Sequence, residues 1–206
     1  ALIPNRLVES DLGMIPDGWE ASTFGSIIER KKQRVNNQIA KVLSAVSSGE
    51  LVDSDDHFKK RVYSKSIEKY LKVDQWDFAY NPSRINIGSI GMLDRDLSGA
   101  VSPIYIVFRS IHYRWLVWFH LKRSSIKDEI GSLCSGSVRQ SLNYKDFASM
   151  GVVLPPLGIF SQFEALWTSS LALIDSNKAE SKKSSELRDS LLQKLISGET
   201  RILSKE

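Results

Sequence analysis

The most regular pattern of apolar and polar positions lies near the C-terminal end. From Phe160 to Ile196 apolar residues recur at helical spacing, at Phe163, Leu166, Trp167, Leu171 and Ile174 and again at Leu187, Leu191 and Leu195. Pro155-Pro156 closes off what precedes, because proline fixes φ and offers no backbone donor. A helix over this span is about 55 Å long at 1.5 Å per residue, longer than most helices inside one domain. A polar gap from Asp175 to Glu186 splits the stripe into two blocks placed almost symmetrically about Glu180. Laid antiparallel on a copy of itself, or on a similar helix, each block meets the other and the polar middles meet. Parallel pairing gives no reason for that symmetry, so an antiparallel helix pair is expected. At about 1.5–3 kcal/mol per buried large apolar side chain, the stripe can outweigh an association cost of about 4–15 kcal/mol. The alternative is a long helix lying across its own globular domain.

Before the prolines the pattern changes to short strands. Lys41–Val46 reads as a strand and Ser48-Gly49 as a turn; Asp77–Tyr80 alternates and stops at Asn81-Pro82; Ile85–Gly91 alternates again. Val101–Phe108 puts Ile104, Ile106 and Phe108 on one face and Tyr105 and Val107 on the other, as in a strand buried on both faces. Val152–Leu154 is a last strand. Ser22 or Thr23 is placed to cap a short helix running through Ile28 into Glu29–Arg34, and Ile111–Leu121 has helical period. Gly131–Gln140 is a loop rich in glycine and serine, which permits close backbone approach. The fold class is α+β: a globular domain of short strands and a few helices over residues 1–157, then one long C-terminal helix over 158–206.

Composition bounds the function. Hydrophobic residues make up 42% and aromatic residues 9% of 206, which suits a packed core rather than a disordered chain. A single cysteine, Cys134, excludes an internal disulfide framework and a cysteine-cluster zinc site, and an intracellular, cytoplasmic protein is expected. No run approaches eighteen apolar residues, so no membrane span is expected. The start, Ala1-Leu2-Ile3-Pro4, lacks the apolar core of a signal peptide and an initiator methionine, which suggests processing or excision from a longer protein. The net charge is +4. Up to Ile159 there are 21 Lys/Arg against 17 Asp/Glu, whereas the remainder is balanced at 7 and 7, so the excess sits in the globular part. A mildly basic globular domain is compatible with nucleic acid.

No catalytic constellation emerges. Tyr80-Asn81-Pro82-Ser83 lacks the second proline and following aromatic of an amino-methyltransferase motif, and no glycine-rich cofactor loop follows a first strand. Asp17 with Glu29-Arg30-Lys31 imitates a nuclease motif, but Asp17 belongs to an Asp-Gly turn. His57, His112 and His120 do not pair at a metal-ligand spacing, and Cys134 has no neighbouring base. The informative clusters are basic: Lys31, Lys32 and Arg34; Lys59, Lys60 and Arg61 between aromatics; and the loop arginines Arg84 and Arg139. Lysine-rich clusters suit phosphate, and a loop arginine suits guanine in the major groove. Lysines on an exposed edge strand are the alternative for the second cluster.

Several segments, in order, carry a resemblance. They are Glu9-Ser10-Asp11-Leu12-Gly13-Met14-Ile15-Pro16-Asp17-Gly18-Trp19-Glu20; Asp77–Arg84 with Gly88-Ser89-Ile90-Gly91 and Gly99–Tyr105; Val138–Leu142 with Phe147 and Leu154-Pro155-Pro156-Leu157; and Leu187–Glu199. Together they resemble the specificity subunit of type I restriction–modification enzymes, over nearly the whole chain. That family usually carries Glu-Gln after the prolines, where this chain has only Gln162, and it has two recognition domains and two spacer helices where this chain has one of each. The resemblance implies half a subunit that does no chemistry. It would read double-stranded DNA, dimerise or join a second specificity half, and serve modification and restriction subunits carrying S-adenosylmethionine, ATP and Mg. The implied pairing surface is Phe163, Leu166, Leu171, Ile174, Leu187, Leu191 and Leu195, and a twofold dimer would read an interrupted palindrome. The competing expectation is a protein-binding adaptor whose helix serves only assembly.

Overall fold

The computed structural model describes residues 6–36, 40–58, 63–64, 66–134 and 141–198. The chain divides into two compact units, Ala1–Leu157 and Gly158–Glu206. Runs of three to five residues, cut by turns, give the first unit its strands: β1 (Leu7–Ser10), β2 (Gly13–Pro16), β3 (Glu20–Thr23), β4 (Glu29–Lys31), β5 (Lys41–Ala45), β6 (Leu51–Asp53), β7 (Leu71–Val73), β8 (Asp77–Tyr80), β9 (Ile90–Met92), β10 (Gly99–Val101), β11 (Ile106–Arg109) and β12 (Gly151–Leu154). The α-helices are α1 (Ser54–His57), α2 (Arg114–Leu121), α3 (Ile126–Leu133), α4 (Tyr144–Ala148) and α5 (Leu157–Ile196). The architecture is α+β with a long C-terminal helix.

Two four-stranded sheets make the core of the first unit. One has the order β6-β5-β10-β7, with β10 parallel to β5 and antiparallel to β7; the other has the order β4-β11-β8-β9 and is antiparallel throughout. Strands β8 and β11 are buried on both faces. On one face Ala79 and Val107 join Leu43, Leu51, Val73, Leu93 and Val101 in an aliphatic cluster. On the other, Phe78 and Phe108 stack with ring centroids 5.0 Å apart, and Phe147 of α4 lies 5.1 Å from both Phe108 and Tyr80. Asn143 caps α4 by accepting the Asp146 N–H at 3.0 Å, a bond that contributes about 1 kcal/mol. Gly91 must be glycine, because a Cβ there would lie 2.6 Å from the Glu50 carbonyl.

Four sequence expectations change in the first unit. Gly131–Leu133, expected to open a loop reaching Gln140, is the last turn of α3, and residues 135–140 lie outside the described residues. Glu29–Lys31 is a strand, not the end of a helix begun at Ser22 or Thr23. Those residues lie in β3, only Phe24–Ser26 turns as a 3₁₀ helix, and β4 pairs instead with Val107–Arg109. Ile85–Ile87 is a 3₁₀ turn, so the second alternating stretch reduces to Ile90–Met92. The expected strand Val101–Phe108 is two strands, because Pro103 cannot donate to a ladder and Ser102–Tyr105 turns, leaving Ile104 61% exposed.

In the second unit α5 is unbroken for 40 residues, about 60 Å at 1.5 Å per residue. An 18-residue window of it is long and apolar enough, by length and composition alone, to cross a membrane, contrary to the expectation from unbroken apolar runs. Ser161, Gln162 and Glu164 interrupt the apolar residues near the N-terminal end of α5. Most of its large apolar side chains are uncovered: Leu166, Leu173, Ile174, Leu187, Leu191, Leu192 and Leu195 are all exposed, while Phe163 and Leu171 are half-buried.

Candidate nucleic-acid interface

A buried carboxylate organises the most charged part of the first unit. Asp77 opens β8, an otherwise apolar strand, and has no exposed surface. Its partner across the ladder is Arg109, the last residue of β11. Arg109 Nε donates to Asp77 Oδ1 at 2.6 Å, and Lys31 Nζ donates to Asp77 Oδ2 at 2.5 Å. The same Oδ2 accepts the Asp74 N–H at 2.8 Å, which shapes the turn from β7 into β8. Asp74 Oδ2 accepts from Lys31 at 3.1 Å, while its Oδ1 takes the Ser98 hydroxyl at 2.6 Å and the Lys72 ammonium at 3.0 Å. Burial by itself would raise the Asp74 carboxyl. The hydrogen bonds from Ser98, Lys72 and Lys31 outweigh it and hold the group well below the usual carboxylate range.

This arrangement brings the first basic cluster of the sequence onto one segment alongside β7. The Lys72 N–H donates to the Gln33 carbonyl at 2.8 Å and Arg34 bridges to Leu71. Lys31 spends its charge on two carboxylates, while Lys32 and Arg34 are exposed. Lys72 and Arg109, not singled out in the sequence, join Lys31, so three cations pair with two carboxylates. Their signal was a charged residue at each end of an apolar strand, Asp77 before Phe-Ala-Tyr and Arg109 after Ile-Val-Phe. Arg84 lies past the far end of β8, exposed in the turn where its N–H bonds the Asn81 carbonyl at 3.0 Å. Lys59, Lys60, Arg61 and Arg139 lie outside the described residues. On the opposite face of β4, Arg30 sits over the Tyr144 ring, 5.4 Å from its centroid. Burial pushes the Cys134 thiol up, which favours its protonated form.

An array of guanidinium and ammonium groups held by the buried Asp77 and the partly buried Asp74 can hold acceptor groups in fixed register. Arg109 uses Nη2 as well, donating to the Gln75 carbonyl at 2.8 Å, so its plane is pinned at two points.

No protein-family model matches the chain, and no curated protein does either. Solved structures do. A chain from work on complex assembly and conformational transition of the type I R-M system matches with TM-score 0.51 and 18% identity, over 93% of this chain and 52% of that one. The HsdS subunit from Thermoanaerobacter tengcongensis matches with TM-score 0.43 and 14% identity, over 85% of this chain and 42% of that one. The type I restriction–modification S subunit from M. genitalium matches with TM-score 0.44 and 14% identity, over 87% and 46%. The chain thus spans about half the length of the structures it matches. The likeness is one of fold: an α+β unit of short strands followed by a long helix, similar to about half of a chain from a type I R-M system.

Proposed function

We propose that this chain is a specificity half of a type I restriction–modification system: its first unit reads a few base pairs of double-stranded DNA, and α5 pairs antiparallel with a second such helix. The observation that carries this reading is the fold match over 93% of this chain but only 52% of its counterpart. The uncovered apolar residues of α5, Leu166, Ile174, Leu187, Leu191 and Leu195 among them, fit a helix partner. A bilayer fits less well, because Glu164 at mid-membrane depth costs about 2.5–3.5 kcal/mol and Gln162 adds to it. Partner modification and restriction subunits would supply S-adenosylmethionine, ATP and Mg and carry out methylation and cleavage in the cytoplasm. Lys32, Arg34 and Lys72 are the phosphate contacts expected from the described residues; Lys59, Lys60, Arg61, Arg84 and Arg139 remain proposed contacts on sequence grounds. Lys31 serves chiefly to hold Asp74 and Asp77. The test is selection of duplexes from a random pool by the full chain, with a salt series on the enriched sequence. Enrichment of a short motif, with affinity falling steeply with salt, supports the reading; no enrichment and no salt-dependent binding would favour an adaptor.

A further inference from the structure

The ends of β4 and β11 frame an open cleft of about 230 Å³, lined by Ser26, Ile28, Glu29, Arg109, Ile111 and His112 among others. Strand β4 is the edge of a four-stranded sheet, so the cleft opens at the sheet's edge among the described residues. Glu29 and Arg109 are direct cross-strand partners, so their side chains leave the sheet on the same face. They do not pair with each other: Glu29 is exposed and forms no ion pair among the described residues, because Asp77 already holds Arg109.

The guanidinium of arginine has five N–H donors. Arg109 commits Nε–H to Asp77 and one Nη2–H to Gln75, and the other three are uncommitted among the described residues. Its side chain is 36% exposed, whereas Asp77 is fully buried. The buried carboxylate has two effects. It offsets the charge that would draw Arg109 to any phosphate, and it fixes the plane of the donors that remain. Beside this rigid donor edge stand a carboxylate acceptor, Glu29, and an aliphatic side chain, Ile111, that is 64% exposed. Donor, acceptor and apolar contact together are the set that distinguishes base edges: guanine O6 and N7 accept from arginine, the cytosine or adenine amino group donates to a carboxylate, and the thymine methyl meets an aliphatic group.

We infer that this cleft is the base-reading site of the first unit, with Arg109 selecting guanine and Glu29 selecting an amino-bearing base at the same or the adjacent pair. The inference rests on the DNA-recognition reading above. The test is the duplex selection repeated with Arg109→Lys, which keeps a cation for Asp77, and with Glu29→Gln, which changes only an exposed side chain. Thermal unfolding of both variants is measured alongside. The wild-type motif is expected to contain a G·C pair whose preference over other pairs falls about tenfold or more in Arg109→Lys. Glu29→Gln is expected to relax that or the adjacent position, with an unchanged melting temperature. The other positions of the motif keep their preferences in both variants. Equal weakening toward all sequences, with a salt slope reduced by about one in Arg109→Lys, would make Arg109 a phosphate contact and overturn the inference while leaving DNA recognition intact. An unchanged motif in both variants overturns it too. A wild-type chain that enriches nothing overturns the DNA reading itself, and this site with it.

Discussion

His120 makes the first unit acid-sensitive. Its ring is nine-tenths buried and packs edge-on against Phe24, with centroids 4.7 Å apart. Arg123 Nη2 lies 2.6 Å from His120 Nε2. Arginine has no acceptor, so Nε2 accepts and the ring proton sits on Nδ1. A second proton would go to Nε2, directly against a guanidinium. Burial, and then the Arg123 charge, push the pKa down to about 4 from an ordinary 6.5. Between pH 7.5 and 5 the unfolded chain takes up a proton here that the folded chain refuses, so stability falls as pH falls. Integrated over that window the loss is about 2 kcal/mol. For a unit of this size that corresponds to a melting temperature lower by about 4–8 °C. The assay is thermal unfolding at pH 7.5 and 5.0 for the wild type and for His120→Gln, whose amide oxygen still accepts from Arg123. The wild type should show the drop and the variant should not. Equal drops in both, or a flat wild type, would refute the neutral buried imidazole. Asp74 and Asp53 are held low, Asp74 against its burial and Asp53 chiefly by its hydrogen bond with Lys41, so they lose their contributions only at more acid pH.

Three other outcomes are expected. Leu187→Asp with Leu191→Asp should reduce the solution mass to that of one chain by analytical ultracentrifugation, since a carboxylate at either site cannot be buried unpaired; an unchanged dimer mass would sink the helix pairing. Asp77→Ala takes the carboxylate from Arg109 and one of two from Lys31, which keeps Asp74, and should cost about 2–3 kcal/mol in urea unfolding; a loss under about 1 kcal/mol would show that the ion cluster is not structural. Asp74→Asn should flatten the stability profile below about pH 4. The wild-type carboxylate contributes stability above its unfolded pKa and loses it as pH falls through the lower folded value, whereas the amide has no such transition.

The long helix was legible because apolar residues recur at helical spacing on both sides of the polar gap and no proline interrupts the run. Strands β5, β8 and β12 were legible as short apolar or alternating runs bounded by Ser-Gly, Asn-Pro and Pro-Pro. Glu29–Lys31 was not, since nothing local distinguishes it from a charged helix; its conformation follows from pairing with Phe108 and its neighbours, far along the chain. The same holds for the interface. Lys31, Lys32 and Arg34 stood out as a basic run, but the use to which Lys31 is put depends on Asp77, 46 residues away. Arg109 was passed over because a single arginine ending an apolar strand looks like an ordinary exposed terminus until Asp77, 32 residues earlier, is seen to hold it. Arg84 stood out from its loop context, and the structure keeps it at the far end of β8, away from the Asp77 end of that strand.

The central claim is sequence-specific DNA recognition by paired halves. Its most direct test is co-expression of this chain with the type I modification subunit of its own host, followed by mapping of adenine methylation across the cellular DNA. New methylation at a single interrupted palindrome is the predicted result, because an antiparallel pair of identical halves has twofold symmetry. No new methylation, with both proteins folded and soluble, would contradict the account.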